Sequence, residues 1–248
     1  MLILALLVSG ALNVLFCYKA LGYYSALQLY CLDPTAAKKY EAQNLQLREP
    51  HSGQARVVLF GDSRVVCWNP LPSLENCQLV NRGVVGETSA QTLLRLERDI
   101  INLKPAVVIL QVGINDLKTI GVFPKLKDDI INSCRENIST IANQMSVHNI
   151  QSVILTVFPP GSVNLFRRPI WSEEIYQGIV EVNEIIKSLK GRGVTVVDCD
   201  SILASGRSIK PEYARDTFHL TSAGYKALNN SLNPVLEELI KNSLRLKN

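Results

Sequence analysis

The chain has 248 residues, of which 47% are apolar and 19% are charged, and its formal net charge at pH 7 is +4. This length and composition suit one well-packed domain with an additional segment, and they exclude a largely disordered chain. No cluster of Lys and Arg resembles a nucleic-acid-binding surface, so the sequence predicts no nucleic-acid partner.

The first element in chain order is an apolar N-terminal segment. No charged side chain precedes Lys19, and the sequence stays mostly apolar as far as Asp33. About 18 apolar residues are enough to cross the hydrocarbon core of a bilayer. This pattern fits three interpretations: an uncleaved membrane anchor, a cleaved signal peptide or a buried core helix. We favour the anchor, because a basic n-region and a small-residue cleavage site are not evident and no polar positions mark a solvent-facing side.

The composition changes twice along the chain and predicts three parts. Residues 1–32 form the apolar anchor or signal-like segment, and residues 33–55 are polar and are predicted to be a linker. Residues 56–243 are predicted to form a single folded domain.

Strands and helices alternate in the predicted domain. Short runs rich in β-branched residues predict five strands, at 57–60, 78–81, 106–112, 152–157 and 194–198. The longer stretches between and after them have apolar residues at helical spacing, at 89–103, 126–147, 172–190 and 222–243. Thr88 and Gln91 form a potential capping box before the first of these helices. This alternation predicts a three-layer α/β/α fold around a five-stranded, mainly parallel sheet.

Cysteine and histidine residues are scattered through the sequence rather than clustered. The six cysteines form no CxxC pair, and none of the three histidines lies near them with ligand spacing. The sequence therefore predicts no metal site and no cofactor. An even number of cysteines permits disulfides, and the pairing of Cys67 with Cys77 stays open.

Polar residues suited to catalysis follow several of the predicted strands. Ser63 follows the first strand, Asn115 follows the third, and Asp216 and His219 lie beyond the fifth. The C-terminal ends of parallel strands meet at one edge of the sheet, where such folds bind their ligands. We therefore expect these four residues to lie close together.

These segments resemble the sequence blocks of the SGNH hydrolases, also called the GDSL-like esterase and lipase family. The blocks occur in the family's order, with Ser63 in GDS, Gly86 in GETS, Asn115 in GxND, and Asp216 and His219 in DxxH. The resemblance covers roughly residues 56–240 and implies a flavodoxin-like fold. Arg64 replaces the leucine that usually follows GDS, a change that leaves the nucleophile in place.

The resemblance implies a serine hydrolase that acts on esters. Ser63 would be the nucleophile and form the acyl-enzyme, His219 would be the general base, and Asp216 would orient the imidazole. The backbone N–H groups of Ser63 and Gly86 and the side-chain amide of Asn115 would form the oxyanion hole. The alternative is a ligand- or carbohydrate-binding module that has kept the fold without turnover, which the intact Ser–His–Asp set disfavours.

The N-terminal segment bears on location and substrate. Lys19, Lys38 and Lys39 follow it and favour a cytoplasmic domain by the positive-inside rule. An N-terminal apolar segment on such an enzyme commonly serves export, however, so we expect the domain on the outer, periplasmic or extracellular side. The expected partners are the membrane, through this segment, and lipid-like or acetylated envelope esters.

The segment from Phe158 to Trp171 has no periodicity and follows the fourth strand at the same sheet edge. Loops at this edge often shape the binding site. Phe166 and Trp171 could stack on an acyl chain or a sugar, while Arg167 and Arg168 could bind a phosphate or carboxylate. We therefore expect this loop to form part of the substrate mouth.

Overall fold

The structure is a computed structural model that describes residues 1–47, 53–191 and 193–245. The chain folds into two compact units, Met1–Glu41 and Ala42–Asn248. The first consists mainly of helix α1 (Leu2–Leu32), none of whose residues is buried. Its mean hydropathy reaches 1.9, and by length and composition it can cross a membrane.

The second unit is built around a parallel β-sheet. The sheet has five strands in the order β2-β1-β3-β4-β5, and all four neighbouring pairs are parallel. The strands are β1 (Ala55–Gly61), β2 (Cys77–Gly83), β3 (Val107–Gln111), β4 (Gln151–Leu155) and β5 (Val194–Val197). The predicted fold class is confirmed, and each of the five predicted strands is present.

Helices cover both faces of this sheet. The remaining helices are α2 (Ala37–Gln46), α3 (Ser63–Val66), α4 (Ser89–Leu94), α5 (Leu96–Asp99), α6 (Ile114–Leu117), α7 (Lys127–Val147), α8 (Glu174–Ser188), α9 (Cys199–Leu203) and α10 (Ser222–Arg245). Short 3₁₀ helices lie at Ile101–Leu103, Lys118–Gly121, Pro124–Leu126, Arg168–Ile170 and Pro211–Tyr213, and a small hairpin joins β6 (Ala204–Ser205) to β7 (Ser208–Ile209).

Two hydrophobic clusters fill the space between the sheet and the helices. In β1, Val58 and Phe60 face the cluster under α4, α5, α7 and α8, while Val57 and Leu59 face the cluster under α3, α9 and α10. Successive strand residues point to opposite faces, so a strand covered on both sides must be apolar throughout. This explains the continuous apolar run that marks β1 in the sequence.

The helix predicted over residues 89–103 is interrupted and needs correction. The predicted capping box of Thr88 and Gln91 is present, but the helix ends at Leu94 and a second short helix begins at Leu96. Arg95, between them, turns its side chain into the interior, where it pairs with Glu87. The helical periodicity predicted correctly which side of this segment is buried. It did not predict the break, because the buried ion pair leaves no periodic signal in the sequence.

The stretch predicted as a linker contains helix α2. Within the second unit, Asn44 of this helix is buried and donates a hydrogen bond of 2.7 Å to Asp99 Oδ1. Residues 48–52 of the predicted linker lie outside the described residues, and the domain boundaries stay predictions. All six cysteines are free thiols, so the Cys67–Cys77 disulfide that the sequence left open is not formed.

Candidate active site

Ser63 is the first residue of α3 and follows directly after the tight turn at the end of β1. Asp62 precedes it as the N-cap of α3, and Asp62 Oδ1 accepts a hydrogen bond of 2.8 Å from the Arg64 backbone N–H. Gly61 has a φ of +142°, and a Cβ atom there would lie 1.8 Å from the carbonyl oxygen of Gln111. Only glycine permits this approach of β1 to β3. The strand order reverses between β1 and β3, which is where ligands bind in this type of fold.

His219 and Asp216 meet Ser63 at this edge. His219 Nε2 is 2.9 Å from Ser63 Oγ, and His219 Nδ1 is 2.9 Å from both carboxylate oxygens of Asp216. The three side chains thus form one continuous hydrogen-bonded chain. Such an arrangement can transfer a proton from a hydroxyl to an imidazole that a carboxylate orients.

Hydrogen bonds favour the charged form of Asp216. Partial burial raises the pKa of its carboxyl. Hydrogen bonds from the backbone N–H of Phe218 and from the side chain and backbone of His219 lower the pKa by more, so the net pKa is below its ordinary value. Asp216 Oδ1 accepts from the N–H of Phe218 at 2.8 Å and of His219 at 3.0 Å. The same carboxylate therefore shapes the loop and orients the imidazole.

Arg64 connects the Ser63 turn to the His219 loop. Its Nε donates a 3.0 Å hydrogen bond to the carbonyl of Phe218, and its guanidinium lies 3.5 Å from the centroid of the Phe158 ring. The hydroxyl of Tyr225 donates to the Arg64 carbonyl at 2.7 Å. Burial lowers the pKa of Arg64 to about 10. The sequence indicated only that this position departs from the family pattern, and not that the side chain is buried.

Asn115 and Gly86 belong to two loops that are hydrogen-bonded to each other. Asn115 is 5% exposed, and its Nδ2 donates to the carbonyl of Glu87, directly after Gly86, at 2.9 Å. Gly86 has a φ of +76°, and the N–H of Val84 in the same loop donates to the Gly61 carbonyl at 2.9 Å. The two loops are thereby tied to each other and to the end of β1.

Lys118 is a site residue that sequence reasoning missed. Its Nζ donates a 2.6 Å hydrogen bond to Asn115 Oδ1 and so orients the amide with Nδ2 toward Glu87. Burial lowers the pKa of Lys118, and the charge of Arg167 lowers it further. A lysine three residues after Asn115 falls on the same side of a helical turn, which is the signal that could have identified it.

A buried ion cluster supports the loop that contains Gly86. Arg95 pairs with Glu87 and, at 3.1 Å, with Asp99, and all three side chains are inaccessible to solvent. Arg95 Nη2 also donates to the Gly61 carbonyl at 3.1 Å. The cluster therefore connects the end of β1 to the loop carrying Gly86.

Asp116 acts as a second brace. Its carboxylate accepts hydrogen bonds from the Ser89 N–H, at 2.9 Å to the nearer oxygen, and from the Ser89 hydroxyl at 2.6 Å. Burial raises the pKa of Asp116. These contacts join α6 to the start of α4.

The four loop residues considered for the substrate mouth separate into two pairs. The Trp171 ring lies 5.9 Å from the Phe218 ring, and the Arg167 guanidinium lies 4.8 Å from the same ring, beside His219. Phe166 is 92% exposed and Arg168 is also exposed. The structure thus brings Arg167 and Trp171 next to the His219 loop, and leaves Phe166 and Arg168 facing solvent.

Two further features bear on ligand binding. Among the described residues, no group of three or more His, Cys, Asp or Glu side chains is arranged to hold a metal ion. A cavity of about 770 Å³ lies at the opposite edge of the sheet, beside the starts of β3 and β4, and contains none of the candidate site residues.

The chain is similar to known proteins of one family. Residues 59–227 match the GDSL-like Lipase/Acylhydrolase family. The chain belongs to this family. This match confirms the predicted family resemblance. Members of the family hydrolyse esters. No curated protein sequence matches the chain.

Several solved structures share the fold. A GDSL-like lipase from Bacteroides thetaiotaomicron is 24% identical, with a TM-score of 0.64 over 86% of this chain and 99% of that one. The lipase/acylhydrolase from Enterococcus faecalis is 20% identical, with a TM-score of 0.54 over 75% and 96% of the two chains. An aryl esterase from M. smegmatis is 16% identical, with a TM-score of 0.57 over 75% and 99%. At these identities the likeness concerns the fold alone.

Proposed function

We propose that this GDSL-family enzyme is a serine esterase that cleaves carboxylic esters through an acyl-enzyme on Ser63. The observation that carries the proposal is the hydrogen-bonded chain from Ser63 Oγ through His219 to Asp216. A serine hydroxyl is a weak nucleophile until a neighbouring base takes its proton. In this arrangement, His219 is the base within reach.

In the proposed reaction, His219 Nε2 accepts the proton of Ser63 Oγ while the oxygen attacks the acyl carbon. The resulting imidazolium then gives this proton to the alkoxide leaving group, and the ester C–O bond breaks. Water attacks the acyl-enzyme in the same manner and restores the Ser63 hydroxyl. Asp216 holds the imidazole with Nδ1 protonated and stabilises its charged form.

The oxyanion of each tetrahedral intermediate requires hydrogen-bond donors. We assign this role to the backbone N–H groups of Ser63 and Gly86 and to Asn115 Nδ2. Ser63 is the first residue of α3, where backbone N–H groups have no acceptor within the helix. Preorganised donors of this kind typically contribute about 10²–10³ in rate each.

The proposed substrates are lipid-like esters or acetylated envelope components. Helix α1 supports this choice, because an anchored domain would work close to a bilayer surface. Arg167 and Trp171 would line the inner mouth, and Phe166 and Arg168 could meet only the outer parts of a large substrate.

We further propose that α1 anchors or exports the enzyme and that its hydrolase domain acts on the outer side of the membrane. The full chain should then fractionate with membranes, whereas a shortened protein that begins at Asp33, and so keeps α2, should be soluble and active. A phosphatase reporter fused after Asn248 should be active, since this reporter requires export. Activity of a cytoplasm-only reporter at the same position would reverse the proposed sidedness.

Reaction with a fluorophosphonate probe tests the serine mechanism directly. The probe should label the full chain, and Ser63→Ala should abolish labelling, because only an activated serine is phosphonylated. Ser89→Ala provides the control, since Ser89 is buried and donates to Asp116. A full chain that binds ligands but is not labelled would favour the alternative, a binding module without turnover.

A further inference from the structure

Two cations lie beside the candidate active site without a carboxylate partner. Lys118 Nζ is 5.5 Å from the centroid of the Phe218 ring, and the Arg167 guanidinium is 4.8 Å from the same centroid. Phe218 directly precedes His219. Within the described part of the chain, no carboxylate lies within ion-pair distance of either cation.

Most hydrogen-bond donors of these two side chains are unused. An ammonium group has three N–H donors, and a guanidinium has five. Lys118 directs one donor to Asn115 Oδ1. Arg167 binds Asn164 only through its backbone N–H, and its guanidinium donates to no described residue. Donors therefore remain available on both cations.

Placing these charges together is electrostatically unfavourable. The pKa of Lys118 is lowered by burial and by the charges of Arg167 and Arg64, and the carboxylates of Asp62 and Asp116 oppose this only in part. Both carboxylates already accept hydrogen bonds from the protein. An anion between Lys118 and Arg167 would turn their repulsion into two attractive interactions.

We propose that Lys118 and Arg167 bind an anionic group, a carboxylate or a phosphate, carried by the ester that this enzyme hydrolyses. This inference rests on the proposed esterase function and narrows its substrate class. Lys118 contacts Asn115, so the anion would lie close to the acyl oxygen held by the oxyanion hole. Arg167 can bind an oxyacid through two parallel hydrogen bonds, and Lys118 acts as a point charge. Phe218 and Trp171 provide an apolar wall for the carbon chain between the ester and the anion.

Paired charged and neutral esters test the proposal on both sides of the scissile bond. For an anion on the alcohol side, the substrates are 4-acetoxybenzoate, 4-acetoxyphenyl phosphate and the neutral methyl 4-acetoxybenzoate. For an anion on the acyl side, they are the 4-nitrophenyl monoester of adipate and its methyl ester. We expect the full chain to have at least about tenfold lower KM for a charged ester of one set, since one charged hydrogen bond typically changes an affinity by about tenfold or more.

Lys118→Met and Arg167→Ala should each remove most of this preference and bring the charged and neutral KM values together. Lys127→Met is the control, because it removes the same charge from a half-buried lysine that binds Gln177. It should retain the preference. Titration calorimetry of the full chain with inorganic phosphate and with adipate provides a readout without turnover and distinguishes the two kinds of anion.

The possible failures are distinguishable. If the full chain hydrolyses neutral esters but has equal KM values within both pairs, the anion site is wrong and the esterase function stands. If Lys118→Met slows charged and neutral esters equally and leaves the KM ratio unchanged, Lys118 only positions Asn115 and the anion site is again wrong. If no ester is hydrolysed at all, the proposed function itself is wrong.

Discussion

The Ser63 turn and the loop from Phe158 to Trp171 border the same edge of the sheet but are built differently. Ser63 is 8% exposed and Arg64 is 1% exposed, and Arg64 is hydrogen-bonded to the His219 loop and to α10. At the tip of the other loop, Phe166 is 92% exposed. The reacting groups are thus held by buried residues. The exposed loop tip contributes little to stability, so its residues can change without disturbing the reacting groups.

Removing the proposed reacting groups should have the largest effect on activity and little effect on the fold. Ser63→Ala and His219→Ala should each lower kcat for 4-nitrophenyl acetate by at least about 10³-fold, because the proton transfer needs both residues. The double variant should be scarcely slower than either single variant. Steady-state kinetics and thermal unfolding provide the measurements. Substantial activity in Ser63→Ala would contradict the acyl-enzyme mechanism.

Breaking the ion cluster under the Gly86 loop should lower stability strongly. Arg95→Met leaves the buried carboxylate of Glu87 without its main partner and removes one of the two arginines that bind Asp99, so the free energy of unfolding should fall by about 3–5 kcal/mol. Urea unfolding measures this loss. Arg98→Met is the matched control, since Arg98 pairs with Asp99 but is 29% exposed, and it should lose clearly less. Equal losses in the two variants would show that burial of Arg95 is not the cause.

The sequence was sufficient for the sheet and for much of the proposed site, because both depend on local patterns. Continuous apolar runs identify strands covered on both faces, and Ser63 and Asn115 are placed by the strands they follow. Arg64 and Arg95 were not foreseen as buried residues. The buried Arg64 binds Phe218, a residue 154 positions away, and no local pattern records such a partner.

The same reasoning explains what was missed in the helices and at the mouth. Arg95 lies within a helical period that predicts a continuous helix, but the helix ends at Leu94 and the side chain of Arg95 pairs with buried Glu87. Lysine is usually a surface residue, and only the fold places Lys118 between Asn115 and Phe218. Buried polar contacts, which leave no periodic signal in the sequence, therefore account for these differences between expectation and structure.

The buried carboxyl beside Ser63 should make stability depend on pH. Complete burial raises the pKa of Asp62 from 3.8 to about 6, although Arg64 opposes the shift. Below about pH 4 the carboxyl is protonated in both states. Between about pH 4 and 6 it stays protonated in the folded protein but ionises on unfolding, so its contribution to stability is lost as pH rises.

Asp62→Asn removes this titration and keeps an oxygen that can accept from the Arg64 N–H. Relative to the unmodified protein, the variant should gain about 3 kcal/mol in unfolding free energy between pH 4 and 7, at about 1.4 kcal/mol per pKa unit. Chemical denaturation at several pH values measures this gain. Asp128→Asn, at an exposed position of α7, is the control. A difference that does not vary with pH would contradict the shifted pKa of Asp62.

The smallest effect is expected at the tip of the exposed loop. Phe166→Ala should change the free energy of unfolding by no more than about 0.5 kcal/mol, because the ring is already in solvent. Phe158 lies at the start of the same loop but is 1% exposed and packs against the Arg64 guanidinium. Its replacement by alanine should cost about 3–5 kcal/mol. Urea unfolding of the two variants compares the same substitution at the start and at the tip of one loop. A large loss in Phe166→Ala would mean that the tip is packed in solution, and the contrast between a buried framework and a free substrate surface would then fail.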